Sequence, residues 1–362
     1  MKETIFHELH LQNKAKMVQF AGYEMPIQYA GGIIHEHKLV REAVGVFDVS
    51  HMGEFEVKGK DALAFVQKMT INDASKLVPG KIQYSAMCRE NGGIVDDLLV
   101  YCLDDGYMLV VNGANIDKDY KWCEENAADF DIELKNATEE INLLAIQGPD
   151  SLKTLQKLTD TDMEKIPYYC YEKGKLAGIE MMLSRTGYTG ELGFEIYFRG
   201  DKKDAEYVWN EIMKAGKEFG IEPVGLGSRD TLRLEKGFCL YGNDIDETTN
   251  PIEAGLGWIT KVDKDSFNGK DVIVKVKEEK PSRKLVGFIV DSEKFIARHD
   301  YPILIDGQVA GKVTSGNISP SLGKAIGMGY VAWDKKAVGT KIEIEARGKL
   351  FPAEIVKLPF YG

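Results

Sequence analysis

No apolar run in this sequence approaches the ~20 residues that a membrane-crossing helix needs. Stretches such as LLVYCL and YMLVV are soon broken by charge or turn residues and read as buried strands. The start, MKETIFHELHLQNKAKMVQF, lacks both an apolar segment ahead of a small-residue cleavage site and the Arg- and Ser-rich, acid-poor texture of a transit peptide. A soluble chain in the cytoplasm is expected. Basic charge is scarce: 46 Lys and Arg stand against 57 Asp and Glu, a net charge of −11. That balance excludes a chain-wide attraction to nucleic acid or an anionic membrane, so an anionic ligand would need a local basic pocket. The five cysteines (Cys88, Cys102, Cys123, Cys170, Cys239) show no CxxC and no paired spacing, which points to reduced thiols rather than a disulfide frame. His35 and His37 lack the i, i+4 spacing of a helical zinc pair, and no metal is expected.

What is present is a large apolar fraction, 44% of 362 residues, enough to bury the cores of two or three domains. FEVKGKDALAFVQKM reads as a strand, a Gly-Lys-Asp turn and a helix. From Ile82 the runs IQYSAMC, IVDDLLVYCL and YMLVVNG, separated by Asn-Gly and Asp-Gly signals, read as an antiparallel meander. Asn115 is placed to cap the next helix, with Asp117 and Asp119 at its positive end. FDIELKNA then returns as a strand, and this α/β layer spans about 55–140. NLLAIQG gives a buried strand, residues 202–219 an amphipathic helix, and PVGLGSRDTLRLEKG a second helix with Gly237 as its C-cap. The charged stretch KVKEEKPSRK marks a boundary, giving domains of 1–277 and 284–362. Beyond it, short strands with turn residues between them read as a small β-barrel or sandwich.

The sharpest chemical feature is the Asp96–Asp97 pair inside an otherwise apolar strand. Successive side chains point to opposite faces, so Asp96 packs with Leu98 and Val100 while Asp97 shares a face with Val95, Leu99 and Tyr101. A carboxylate on a half-buried strand costs several kcal/mol unless paired; the alternative is an exposed hairpin start for both. SRTGYTGELGFEIYF has three glycines but no Walker spacing and no following helix, so it reads as a turn between strands that can present Tyr188 and Glu195. Arg229 and Arg233 fall on one helix face and repel unless an anion, or Asp230 and Glu235, lies between them. His51 can simply tie down a loop, and no GxSxG elbow supports a nucleophilic triad.

Six ordered blocks, FDVSHMGEFEVKG, YSAMCRENGGIVDDLLVY, SRTGYTGELGFEIY, GLGSRDTLRLEKGFCLYGNDIDE, NPIEAGLGWITK and GKVTSGNISPSLGKAIGMGYV, resemble the glycine cleavage system T-protein, the aminomethyltransferase. The likeness runs from about Ala21 to Phe360. It implies an α+β fold: a three-domain cloverleaf around a central folate cavity, with mixed α/β N-terminal domains and a C-terminal β-barrel. It also implies transfer of a one-carbon unit from the aminomethylated lipoyl arm of H-protein to tetrahydrofolate, giving 5,10-methylene-tetrahydrofolate and ammonia. Carried over residue by residue, the resemblance makes Asp97 the catalytic acid and Tyr84 and Tyr188 ring contacts. It makes Glu195 an acceptor for pterin N–H groups, Asn112 a polar partner, and Arg229 the contact of the glutamate tail, with Tyr168 and Trp258 on the cavity wall. Arg298 and Lys324, on expected loops of the barrel, are candidates for docking H-protein. Members of that family often continue past the Pro-Phe near the end with a tail that can reach the folate site, whereas this sequence ends at Gly362. A folate-binding relative that assists iron–sulfur assembly carries Lys-Gly-Cys-Tyr-x-Gly-Gln, but the stretch here is KGFCLYGNDID. A folate-dependent demethylase domain and a pure lipoyl-protein binding module are the other rivals.

Overall fold

The computed structural model describes residues 1–292 and 295–362. The chain forms two compact units, one of Met1–Gln67, Ala74–Tyr84 and Leu98–Asp230, the other of Lys68–Asp73, Ser85–Asp97 and Thr231–Gly362. Among the described residues no helix is long and apolar enough to cross a membrane.

The first unit is built on a six-stranded sheet in the order Tyr171–Leu176, Ile179–Ser184, Gly193–Phe198, Asn142–Gln147, Gly45–Asp48, Glu222–Pro223. All pairings are antiparallel except the last. The strand Gly193–Phe198 is buried at every position, so both of its faces are covered. One face is apolar: Phe194, Ile196 and Phe198 join Leu144, Ile146, Leu183 and the Ala205, Val208, Trp209 and Ile212 stripe of the helix Lys202–Gly216. That helix starts at a capping box in which Asp201 and Asp204 reciprocally satisfy backbone N–H groups. The other face carries Glu195 and Tyr197, because alternate residues of a strand point opposite ways. It meets a five-stranded sheet, ordered Ile82–Cys88, Ile94–Leu103, Gly106–Val111, Gly53–Lys58, Glu133–Asn136, through the Tyr101 hydroxyl, 2.9 Å from that of Tyr197. The expected meander and its flanking strands are the strands of this sheet. The helix Ile116–Ala127 has Asp117 and Asp119 in its first turn as expected, but Asn115 makes no side-chain cap.

The second unit contains a closed six-stranded barrel ordered Arg283–Val290, Lys324–Ala332, Gln308–Ser319, Pro302–Ile305, Lys341–Ala346, Lys349–Val356. Pairing of the last strand with the first removes both edges. Phe288, Val313, Ile303, Ile344 and Ile355 fill it. The mixed α/β expectation with a C-terminal barrel therefore holds. The helix Lys270–Glu279 runs through the first half of the charged stretch before the barrel. A bulge between Val313 and Ser315 breaks the pleat there. It lets two consecutive hydroxyls, Thr314 (2.5 Å) and Ser315 (3.0 Å), donate to one carboxylate, Asp244. Arg233, 2% exposed, donates to the same carboxylate at 2.7 Å and to Ser315 Oγ at 2.9 Å. Asp230 and Glu235 were one of two alternatives for the arginines; Glu235 accepts from Ser321 and from the Ser319 hydroxyl.

Candidate functional site

The polar layer of the first unit starts at Glu195. Burial raises its carboxyl above the ordinary value, opposed by the Thr186 hydroxyl, which donates to it, and by the charge of Arg229. Behind it stand Ser184 Oγ and Thr186 Oγ1, 2.9 Å apart, and the Tyr101 hydroxyl, 2.9 Å from Ser184. Such a network, placed on the sheet face away from the apolar core, costs folding energy unless every member is satisfied. Here each hydroxyl has a partner.

Two glycines of SRTGYTGELG make room for a neighbouring side chain. A Cβ on Gly187 or Gly193 would stand 2.1 or 2.4 Å from the Gln147 side chain. Gln147 fills that space, donating to the Thr186 carbonyl (3.2 Å) and accepting from the Thr189 hydroxyl (2.8 Å). Arg41 clamps the same loop from the Thr189 carbonyl (2.7 Å) to Glu191 (2.8 Å). The loop so fastened presents Tyr188, and the Arg229 guanidinium lies over its ring, 4.5 Å from the centroid. Arg229 stands in the first turn of the helix Leu226–Glu235, which Glu36 anchors by accepting from Gly225 N at 2.9 Å.

Four of the residues singled out from the sequence thus belong to one neighbourhood: Tyr188, Arg229, Glu195 and Tyr168. The Tyr168 ring is 65% exposed, while loss of solvent around its hydroxyl, and then the Glu195 charge, raise its pKa. Tyr84 and Asn112 lie in the same unit and are half-buried, on the strand Ile82–Cys88 and ahead of the short helix Gly113–Asn115. Asp97 and Trp258 belong to the second unit. Asp96 is fully buried and Asp97 half-buried, so the two carboxylates do not sit together at an exposed hairpin start. Burial pushes the Cys239 thiol up, and the charges of Asp244 and Asp97 add to this. Trp258 ends the turn Leu256–Trp258 with its ring 66% exposed. Arg298 and Lys324 are exposed, but Lys324 opens a barrel strand and is not a loop residue.

Two buried groups were not marked as site residues in the sequence. Neither oxygen of the Glu54 side chain, 1% exposed, has a hydrogen-bond partner among the described residues, and the same is true of His51 Nδ1. Leaving such a group unsatisfied costs about 1–3 kcal/mol, more if it is charged. Burial raises the Glu54 carboxyl well above its usual range, with Glu195 adding to the shift. Burial also lowers His51 to about 4, helped by Arg229 and opposed by Asp48. Glu54 reads in FEVKG-type alternation as a solvent-facing strand residue, so only the second sheet reveals its burial. Elsewhere, His7 Nε2 lies 2.8 Å from Glu24 and Nδ1 3.7 Å from Glu3. Each ring nitrogen thus faces its own carboxylate.

A chain with two such sheets and a closed C-terminal barrel is covered by two family models of one transferase class. The GCVT N-terminal domain matches residues 6–264, and the glycine cleavage T-protein C-terminal barrel domain matches 283–362. An aminomethyltransferase of Bacteroides thetaiotaomicron is 54% identical, covering 99% of each chain, and one of Halothermothrix orenii is 50% identical over 99% of this chain and 100% of that one. The crystal structure of the glycine cleavage system aminomethyltransferase T from Bartonella henselae superposes with a TM-score of 0.91 at 33% identity, covering 99% of this chain and 98% of the other. The chain belongs to the glycine cleavage T-protein family, and its activity is that of an aminomethyltransferase.

Proposed function

We propose that this aminomethyltransferase takes the aminomethyl group held on sulfur by the lipoyl arm of H-protein and passes its carbon to tetrahydrofolate. The C–S bond and the C–N bond to the departing ammonia break. Two new C–N bonds form to the folate nitrogens, whose two protons leave with the thiol and the ammonia. The carbon becomes electrophilic only as ammonia departs, so the reaction depends on a positioned amine and on stabilised positive charge. The observation that carries the folate reading is the buried Glu195 carboxyl on the sheet face turned from the core, with the Arg229–Tyr188 stack beside it. A carboxylate there can accept from pterin N–H groups, Tyr188 offers a ring face, and Arg229 suits the anionic glutamate tail. Tyr84, Asn112, Tyr168 and Trp258 complete the proposed folate contacts. Asp97 is the proposed catalytic residue, and its carboxylate would stabilise the iminium-like centre. The chemistry asks for no metal, and the setting we infer is the cytoplasm, without nucleic-acid or membrane partners.

A single-turnover assay with aminomethyl-loaded H-protein and tetrahydrofolate tests the reading. Ammonia and 5,10-methylene-tetrahydrofolate are expected in equal amounts. Binding of both partners without product would reduce the chain to a lipoyl-protein module, and ammonia without methylene-tetrahydrofolate would remove folate as acceptor.

A further inference from the structure

Glu54 is the group that the proposed site leaves unexplained. Its backbone is conventional: its N–H donates to Thr138 Oγ1 at 3.1 Å, and its carbonyl accepts from Ala137 N at 2.9 Å. Its side chain is not, being buried with both oxygens unpartnered among the described residues. Strand register fixes the direction. Glu54 pairs with Val110, and Val110 with Leu99, two residues before Tyr101 on the same face of its strand. Phe55 points the opposite way, edge to face with Tyr120 of the helix behind the sheet. Glu54 therefore faces the layer between the two sheets of the first unit, where it feels the charge of Glu195 and Tyr197 feels its own. A second observation points the same way: His51, three residues earlier and within reach of the Arg229 charge, also keeps a buried nitrogen without a partner.

We propose that Glu54 is a further folate-binding residue of this layer, meeting the amide edge of the pterin ring beside Glu195. The inference rests on the folate reading above. Two carboxylates facing one ligand would repel, but a neutral carboxylic acid beside an ionised one would not. Burial and the neighbouring Glu195 hold the proton on Glu54. In that form it offers one O–H donor and one C=O acceptor side by side. The pterin amide presents the complementary pair, a carbonyl oxygen next to a ring N–H. Glu195, whose rise the Thr186 hydroxyl and Arg229 oppose, is the better placed of the two to carry the charge and accept from the remaining N–H groups. One acid and one carboxylate would thus divide the polar edge of a single heterocycle between them.

The experiment compares Glu54→Leu and Glu54→Gln with the wild type. Binding is titrated with 5-formyltetrahydrofolate, 6-methyltetrahydropterin and p-aminobenzoylglutamate, and Tm is recorded without ligand. Gln keeps a donor and an acceptor and is expected to bind both pterins within about threefold of wild type, whereas Leu loses about tenfold or more on both. Binding of p-aminobenzoylglutamate, which has no pterin, is unchanged in either. The unliganded Leu variant melts no lower than wild type, since it removes an uncompensated buried polar group. Wild-type pterin affinity in Glu54→Leu would overturn the proposal, as would an affinity loss matched by a fall in Tm in both variants. Glu54→Met carries the same comparison if the Leu variant does not fold. Wild-type protein that binds none of the three probes sinks the folate reading itself; wild-type binding with an indifferent Leu variant sinks only the role of Glu54.

Discussion

The guanidinium of Arg229 lies over the ring of Tyr188, 4.5 Å from its centroid. The contact joins the first turn of one helix to a loop fastened by Gln147 and Arg41, and a stacked pair of this kind contributes about 0.5–2 kcal/mol.

Arg229→Ala is therefore expected to weaken tetrahydrofolate binding by about 1.5–3 kcal/mol, the range for hydrogen bonds to charged groups. Arg229→Lys keeps the charge but not the planar stack, and recovers only part of the loss. Titration of a glutamylated folate and a tail-truncated one checks the assignment. Equal losses on the two ligands, accompanied by a lower Tm, would make Arg229 a structural residue.

Asp96 and Asp97 should separate stability from rate. Asp97 is half-buried, and Asp97→Asn is expected to leave Tm unchanged while lowering single-turnover transfer by ~100-fold or more, the scale of one preorganised electrostatic group. Asp96 is fully buried, and Asp96→Asn is expected to cost about 1–3 kcal/mol of stability with a milder loss of rate. Comparable rate losses in two stably folded variants would reverse the face assignment.

Period and turn chemistry made much of this fold readable. Asn-Gly and Asp-Gly signals delimited the strands of the five-stranded sheet, and alternation separated Asp96 from Asp97, of which Asp96 is the one fully buried. What stayed hidden depends on partners distant in sequence. Glu54 looks solvent-facing until a second sheet covers it, and Gly187 and Gly193 look like a loop signature until Gln147 occupies the space they leave. Arg233 sits near Asp230 and Glu235 in the chain, yet a bulge in a barrel strand delivers its Ser315 contact, and Asp244 takes its charge. Local propensity carries no trace of such pairings.

That buried pair is the basis of a stability prediction. Arg233→Met leaves Asp244 buried with the Thr314, Ser315 and Leu240 N donors but no cation, and is expected to cost about 3–5 kcal/mol in urea unfolding. Replacing both, Arg233→Met with Asp244→Leu, should recover part of that loss, because no lone charge remains buried. A double variant whose loss equals the sum of the two single losses would show that the pair contributes no net coupling.

His51 sets the acid limit of the first unit. Burial, and secondarily Arg229, lower it to about 4 from 6.5, against the smaller pull of Asp48. Between those values the unfolded chain binds the proton and the folded one does not, so stability is complete above about pH 6.5 and falls as the pH drops toward 4. At 1.36 kcal/mol per pKa unit, the loss approaches about 3 kcal/mol at the acid end. Glu54 and Glu195 have the opposite sign: their raised values give stability that is present below about 4.5 and declines as the pH rises, so the two slopes oppose each other in the overlapping range. The absolute curve is thus less telling than the difference between wild type and His51→Gln, which cannot take up the proton. Urea unfolding of both across that range should show the variant losing less stability on acidification, with the gap between the two closing above about pH 6.5. Parallel curves would mean that the imidazole is protonated in the folded state without penalty, and that its unpartnered nitrogen is open to solvent.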